Sequence, residues 1–232
     1  MEKAKLKASI IIRAYNAEAT IARAIESALA QNFPREQYEI IIVDDGSTDG
    51  TSIVIARYAN GPRIRVITQA NSGITKAANV GIEAARGIYT TFLDADDTFE
   101  PQLLSALVPL LDANEHCALV YSDYWEERAG KRRRISPPTV FQALNGGILF
   151  RKSVVVETGG YRDVPVFPDY DLFIRMLERW RAARYEKQPL WTYVRHEGSM
   201  TADPARVQHA LQELRRLHPD KLDLIESIRR YE

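Results

Sequence analysis

Four short apolar runs recur through the first hundred residues, at 8–12, 39–43, 64–68 and 88–93. Those at 8–12 and 39–43 read as strands buried on both faces, the pattern of a parallel sheet, and those at 64–68 and 88–93 as two further strands. Helical spacing fills the gaps. Ile21, Ile25, Ala28 and Leu29 share one face, and residues 52–59 read as a second helix. Ile74, Ala77, Ala78, Gly81, Ile82 and Ala85 form a third apolar face, stopped at Gly87. Regular alternation of this kind predicts an α/β fold with a mostly parallel central sheet flanked by helices. Ligands in such folds bind beyond the carboxyl ends of the strands.

Those ends carry charge. Arg13 closes the first run, Asp44-Asp45 the second, and Asp94-Ala95-Asp96-Asp97 the fourth. Three carboxylates within four positions repel one another, and burial strengthens the repulsion. A divalent cation on hard oxygen ligands relieves it and leaves coordination sites for substrate phosphates. The stretch therefore predicts a metal-diphosphate site. The plainer alternative is an acidic turn in which Asp97 or Thr98 caps the next helix. Asn16 is expected to cap the first helix and Asp49 the second.

The second half is less regular. A helix is expected from Pro101, with Leu103, Leu104, Leu107 and Leu111 on its face, then a strand over 118–124. Residues 125–135 read as an exposed turn carrying Lys131-Arg132-Arg133-Arg134. That run is either a solvated loop or a contact for phosphate or an anionic acceptor. Asn145-Gly146-Gly147 precedes a short strand, 148–150. A short helix over 153–158 stops at Gly159-Gly160, and a longer one covers 169–181. Residues 185–195 read as an edge strand because of Pro189. Residues 203–231 read as amphipathic helix split near Pro219. Asp171 and Arg175, one turn apart, read as a surface pair.

With 31 basic and 31 acidic residues among 232, nothing draws the chain toward nucleic acid. One cysteine, Cys117, allows no internal disulfide and fits a reducing compartment. The N-terminus reads as neither signal peptide nor span, and no stretch is long enough to cross a bilayer. A single cytoplasmic domain over 1–232 is expected, with peripheral contact at the inner membrane surface left open.

An ordered set of motifs then carries a resemblance. Ser9-Ile10-Ile11-Ile12-Arg13-Ala14-Tyr15-Asn16 comes first, then Glu39-Ile40-Ile41-Ile42-Val43-Asp44-Asp45-Gly46-Ser47-Thr48-Asp49. Asn71-Ser72-Gly73, Ala78-Asn79-Val80-Gly81-Ile82, Leu93-Asp94-Ala95-Asp96-Asp97, Gly159-Gly160-Tyr161 and Asp169-Tyr170-Asp171-Leu172 follow. In this order they resemble the inverting nucleotide-sugar glycosyltransferases of family 2. The resemblance implies a Rossmann-like GT-A fold with a nucleotide-sugar-binding half (1–100), a smaller mixed acceptor-side part (101–202) and C-terminal helices (203–232). It implies transfer of one sugar from a nucleoside-diphosphate sugar, UDP being the commonest nucleotide, in glycan or cell-surface polysaccharide biosynthesis. Mg or Mn would be the cofactor, and the acceptor a glycan, a lipid-linked molecule or a small molecule.

By the same resemblance Arg13, Tyr15, Asp45, Asn71, Asn79, Asp94 and Ala95 bind the donor, with Asp45 accepting a base N–H. Asp96 binds the metal, with Asp94 facing ribose and metal, and His196 is a further candidate ligand. Asp169 aligns with the general base. Arg13 stands where the family commonly has a small residue, and Pro168 replaces the glutamate of a Glu-Asp pair. Ala78 replaces a frequent arginine, for which Lys76 or Arg86 is a candidate substitute. The processive signature Gln-x-x-Arg-Trp is absent, since Met176 stands where the glutamine would precede Arg179-Trp180. Single-sugar transfer is expected over polymer extrusion.

The chemistry asks for the same parts. Inverting transfer needs a base for the acceptor proton and a cation for the leaving diphosphate. A carboxylate at a helix start, as at Asp169, is stabilised by the helix dipole, and the plain alternative is an N-cap. Two rivals remain at this level: nucleotidyl transfer, which wants a Gly-rich basic phosphate loop that Arg13-Ala14-Tyr15-Asn16 does not supply, and a non-catalytic nucleotide-sugar-binding module.

Overall fold

The computed structural model describes residues 6–61, 63–164, 167–180, 183–196 and 203–228. The expected helix ends at Arg181 and Tyr231, and the extreme N-terminus, lie outside them. The four apolar runs are strands: β1 Ala8–Ala14, β2 Tyr38–Asp44, β3 Ile64–Thr68 and β4 Tyr89–Asp94. They pair in parallel in the order β3-β2-β1-β4. β1 and β2 are buried at every position, as expected for strands covered on both faces. Helices α1 Ile21–Leu29, α2 Thr51–Ala56 and α3 Ile74–Ala84 connect them. The register places Arg13 opposite both Val43 and Asp94, so the charged strand ends share one edge.

The second half extends this sheet. Its elements are β5 Thr98–Phe99, α4 Leu103–Asp112, β6 Leu119–Arg128, β7 Lys131–Ile135, β8 Leu149–Arg151, α5 Lys152–Glu157, α6 Pro168–Trp180 and β9 Ala183–Val194. Helices α7 Pro204–Leu217 and α8 Leu222–Glu226 follow, divided near Pro219 as the sequence predicts. Among the described residues the sheet has nine strands, ordered β3-β2-β1-β4-β8-β6-β9-β5, with β7 on β6. β8 joins β4 antiparallel and so carries the sheet from the first half into the second.

Several local expectations are corrected. Asn16 does not cap α1, which begins at Ile21. It adopts a φ of 49°, and its Oδ1 accepts from the Thr48 N–H at 2.8 Å, tying the turn after β1 to the loop after β2. Asp97 and Thr98 cap no helix. Thr98 enters β5, and buried Asp97 accepts from the Val194 N–H at 2.8 Å. Residues 125–135 are not an exposed turn but a hairpin, β6 with β7. Its register sets acids against bases: Arg132 bonds Glu127 at 2.9 Å, Arg133 bonds Glu126 at 2.9 Å, and Arg134 bonds buried Asp123 at 2.5 Å. The basic run is thus largely neutralised from within. Pro189 lies opposite Asp123 at a register shift between β6 and β9, where a missing N–H costs no regular ladder bond.

Asp171 is not on the surface. It is fully buried, with Arg175 at 2.7 Å and the His218 Nε2 at 2.9 Å, the histidine arriving from the α7–α8 connection. Arg175 continues to the carbonyls of Thr158 at 2.6 Å and Gly160 at 2.7 Å. Removing one partner from a buried ion network leaves the others uncompensated, at about 3–5 kcal/mol. Asp171→Ala is therefore expected to lower unfolding stability by about that much in a urea titration. An unchanged midpoint would return the pair to the surface role its spacing suggests.

Candidate active site

The charged strand ends open into one pocket of about 1110 Å³. Arg13, Tyr15, Asp45, Asn71, Asp94, Ala95, Asp96, Asp169 and His196 all line it. Asn79 does not. Its side chain is committed to Tyr161, accepting from that residue's N–H at 2.9 Å and donating to its carbonyl at 2.9 Å. Lys76 and Arg86 are not among the lining residues either, so neither replaces the family's arginine from there.

Asp45, buried at the end of β2, is already engaged. Its Oδ1 accepts from Gln69 Nε2 at 2.7 Å and from the Ser72 N–H at 3.0 Å, and its Oδ2 accepts from the Gly73 N–H at 2.8 Å. The carboxylate thus organises the loop before α3 while its residue lines the pocket. Asn71, exposed on that loop, is placed by this arrangement.

At the centre lies Arg13, 7% exposed, with its guanidinium 5.4 Å from the Phe92 ring. It donates to Asp94 Oδ1 at 2.5 Å. Burial works against its charge, but Asp94 and then Asp169 outweigh burial and raise its pKa. Asp169 is the second residue of α6, so Pro168 takes the first helical position, where no N–H is needed. The Asp169 Oδ1 is buried without a hydrogen-bond partner. Burial raises its pKa to about 6; Arg13 opposes that rise and Asp94 adds to it. A carboxylate so placed is ionised at neutral pH and basic enough to take a proton.

Asp96 and His196 are 100 residues apart in sequence, yet Asp96 Oδ2 lies 2.8 Å from His196 Nε2. Two bonds bring the histidine there. The Val194 N–H reaches Asp97, and the Arg195 N–H reaches the Glu127 carbonyl at 2.8 Å. Burial first, then neighbouring Asp94, raises the Asp96 pKa. Among the described residues no three His, Cys, Asp or Glu side chains gather as a complete metal site. A carboxylate oxygen and an imidazole nitrogen are donors of the kind a divalent cation takes, though here they bond each other, with Asp94 paired to Arg13.

Sequence reasoning missed part of the wall. Trp191, 1% exposed, lines the pocket and stacks on Tyr124 with ring centroids 4.8 Å apart. Gly146 and Gly147 lie flat on its indole, where added Cβ atoms would come within 2.3 and 2.1 Å of the ring. The Gly-Gly pair was the available signal, since such a pair marks close approach as well as a turn.

Residues 9–162 match the profile of glycosyl transferase family 2. The chain belongs to this family. Among its family 2 relatives, the Escherichia coli chondroitin synthase is 41% identical over 127 residues, 53% of this chain and 18% of that protein. The E. coli UDP-Glc:alpha-D-GlcNAc-diphosphoundecaprenol beta-1,3-glucosyltransferase WfaP is 30% identical over 208 residues, 84% of this chain and 80% of that one. The chain spans less than two thirds of several curated relatives. The mannosyltransferase PcManGT from Pyrobaculum calidifontis, in complex with GDP-Man and Mn2+, superposes with a TM-score of 0.76 at 18% identity, covering 95% of this chain and 68% of that one. That likeness shows the fold, and it is the GT-A fold expected from the motifs.

The Arg13 arrangement yields a stability test. Arg13→Met keeps the stem and removes the charge, so Asp169 loses the partner that holds its pKa down. A carboxyl whose folded pKa is raised contributes stability that is present below its unfolded value and is lost as pH rises through the folded one. The Asp169 contribution is thus lost as pH rises through about 6 in the parent, and more severely in the variant. Thermal unfolding should show a deficit for Arg13→Met that is larger at about pH 8 than at about pH 5. An equal deficit at both would mean that Arg13 acts by packing alone.

Proposed function

We propose that the pocket transfers a single sugar from a nucleoside-diphosphate sugar to an acceptor hydroxyl, with inversion at the anomeric carbon. The observation that carries this is that Asp169, with a buried and unpartnered Oδ1, lines the same pocket as the Asp96–His196 pair 2.8 Å apart. One group is poised to take a proton and the other to hold a cation at a leaving group. The nucleoside lies along the ends of β1 and β2, with Asp45 Oδ2 accepting a base N–H and Tyr15 and Asn71 at the rim. Asp169 takes the acceptor proton as that oxygen attacks the anomeric carbon, and the bond to the diphosphate breaks on the opposite face. A cation on Asp96 and His196 would neutralise charge growing on the departing diphosphate. A mixed carboxylate-imidazole pair favours Mn over Mg, which prefers all-oxygen ligands.

UDP is the proposed donor nucleotide, supported by the UDP-Glc in the name of the WfaP relative. The same relatives support a place in glycan or polysaccharide biosynthesis. No described helix is long and apolar enough to cross a membrane.

The test is calorimetry of UDP in Mn and in chelator, with turnover measured beside it as acceptor transfer or slow donor hydrolysis. Asp96→Ala should abolish the Mn-dependent part of UDP affinity. Asp169→Asn should leave donor affinity within about twofold and lower turnover by roughly 10²–10⁴. Near-parental turnover in Asp169→Asn would remove the base assignment. Unchanged Mn dependence in Asp96→Ala would remove the cation site.

A further inference from the structure

The basic strand β7 takes no part in the pocket chemistry. The hairpin register neutralises most of its charge, with Arg132 on Glu127, Arg133 on Glu126 and Arg134 on Asp123. The matching of acid with base stops at the last rung, where Arg128 stands opposite Lys131. Like charges directly opposite in an antiparallel pair repel. Both residues are exposed, and among the described residues neither has an ion-pair partner. The turn between them is the dipeptide Ala129-Gly130, at φ of 48° and 75°. Two left-handed residues make the tight hairpin turn that follows the strand twist, so the rung is held closed against its own repulsion.

Topology sets this rung at the edge where the pocket opens. β8 runs antiparallel to β4 and β6 antiparallel to β8, so the carboxyl ends of β4 and β6 point the same way. β9 runs parallel to β6, and the Arg195 N–H bonds the Glu127 carbonyl at 2.8 Å. Arg128 follows Glu127, and pocket-lining His196 follows Arg195. Neighbouring strands run about 4.8 Å apart, so the rung stands beside the His196 rim of the pocket. The nucleoside end, at β1 and β2, lies beyond β4 and β8 in the sheet.

We propose that Arg128 and Lys131 form a docking point for a phosphate or diphosphate ester carried by the acceptor. The inference rests on the reading of the pocket as a sugar-transfer site, where the donor's own diphosphate belongs at Asp96 and His196. A second anion-binding point, at the rim and away from the nucleoside, suits the other substrate. A phosphate between the two cations replaces their repulsion with two charge-assisted contacts. It anchors the acceptor through a group that does not react and leaves the attacking hydroxyl free to enter the pocket.

The test is calorimetry with geranyl diphosphate, a diphosphate ester with no nucleoside. It is titrated into the full chain with UDP present and in chelator, so that the donor site is filled and no metal bridges the anions. The parent should bind, and more weakly as salt is added. Arg128→Gln with Lys131→Gln should weaken binding at least about tenfold. The same double variant without ligand should unfold at or above the parental temperature, since the like-charge rung is gone. A parent that does not bind, or a double variant that binds as well as the parent, would overturn the proposal. Vesicles of phosphatidylcholine and phosphatidylglycerol supply a second arm. If the double variant loses vesicle binding and keeps its diphosphate affinity, the rung is a membrane contact and the proposal fails. Failure of the sugar-transfer reading would show instead in the turnover of Asp169→Asn, which these binding measurements do not involve.

Discussion

One buried guanidinium decides how the rest of the site can exist. Arg13 is next to last in the central strand β1 and meets Asp94 from the neighbouring strand at 2.5 Å. It also faces Asp169 from a helix more than 150 positions away in the chain. Two carboxylates facing one cavity without it would each favour protonation. With it, Asp169 titrates near 6, ionised at neutral pH yet still basic. Asp94 is meanwhile paired with Arg13, while Asp96 meets His196. On the proposed function, a single side chain thus separates the acidic strand end into a side for the proton and a side for the cation.

The second half of the chain exists, in this light, to deliver groups to that edge with little freedom. β8 extends the sheet, and α6 starts where its second residue drops into the pocket. β9 returns parallel to β6 and carries Trp191 and His196 to the opposite wall. The network of His218, Asp171 and Arg175 ties the C-terminal helices to the turn that presents Tyr161. Buried ionic contacts contribute little net stability and fix geometry instead.

What the sequence disclosed follows from how local each signal is. Buried parallel strands write themselves as unbroken apolar runs, so residues 8–12 and 39–43 were legible, and so were the carboxylates at their ends. The start of the helix bearing Asp169 was legible from Pro168 and the apolar spacing that follows. Contacts between distant segments were not. Asn79 sits in a helical motif and reads as a ligand residue, but its partner is Tyr161, 82 positions on. Asp171 and Arg175 have the spacing of any exposed pair, and only packing by α7 and α8 buries them. The run Lys131 to Arg134 looked like free charge because its acidic partners appear only once β6 and β7 are in register. His196 offered no local signal beyond its chemistry; the bonds of Val194 and Arg195 set it beside Asp96.

The claim on which this account turns is that Asp169 is the proton acceptor, held near 6 by burial against Arg13. The pH dependence of kcat/KM for transfer, or for donor hydrolysis, tests it most directly. The account predicts an acid limb with a midpoint near 6, activity falling as pH drops through it, and no such limb in the residual activity of Asp169→Asn. A limb that persists unchanged in Asp169→Asn would contradict it and place the titrating base elsewhere in the pocket.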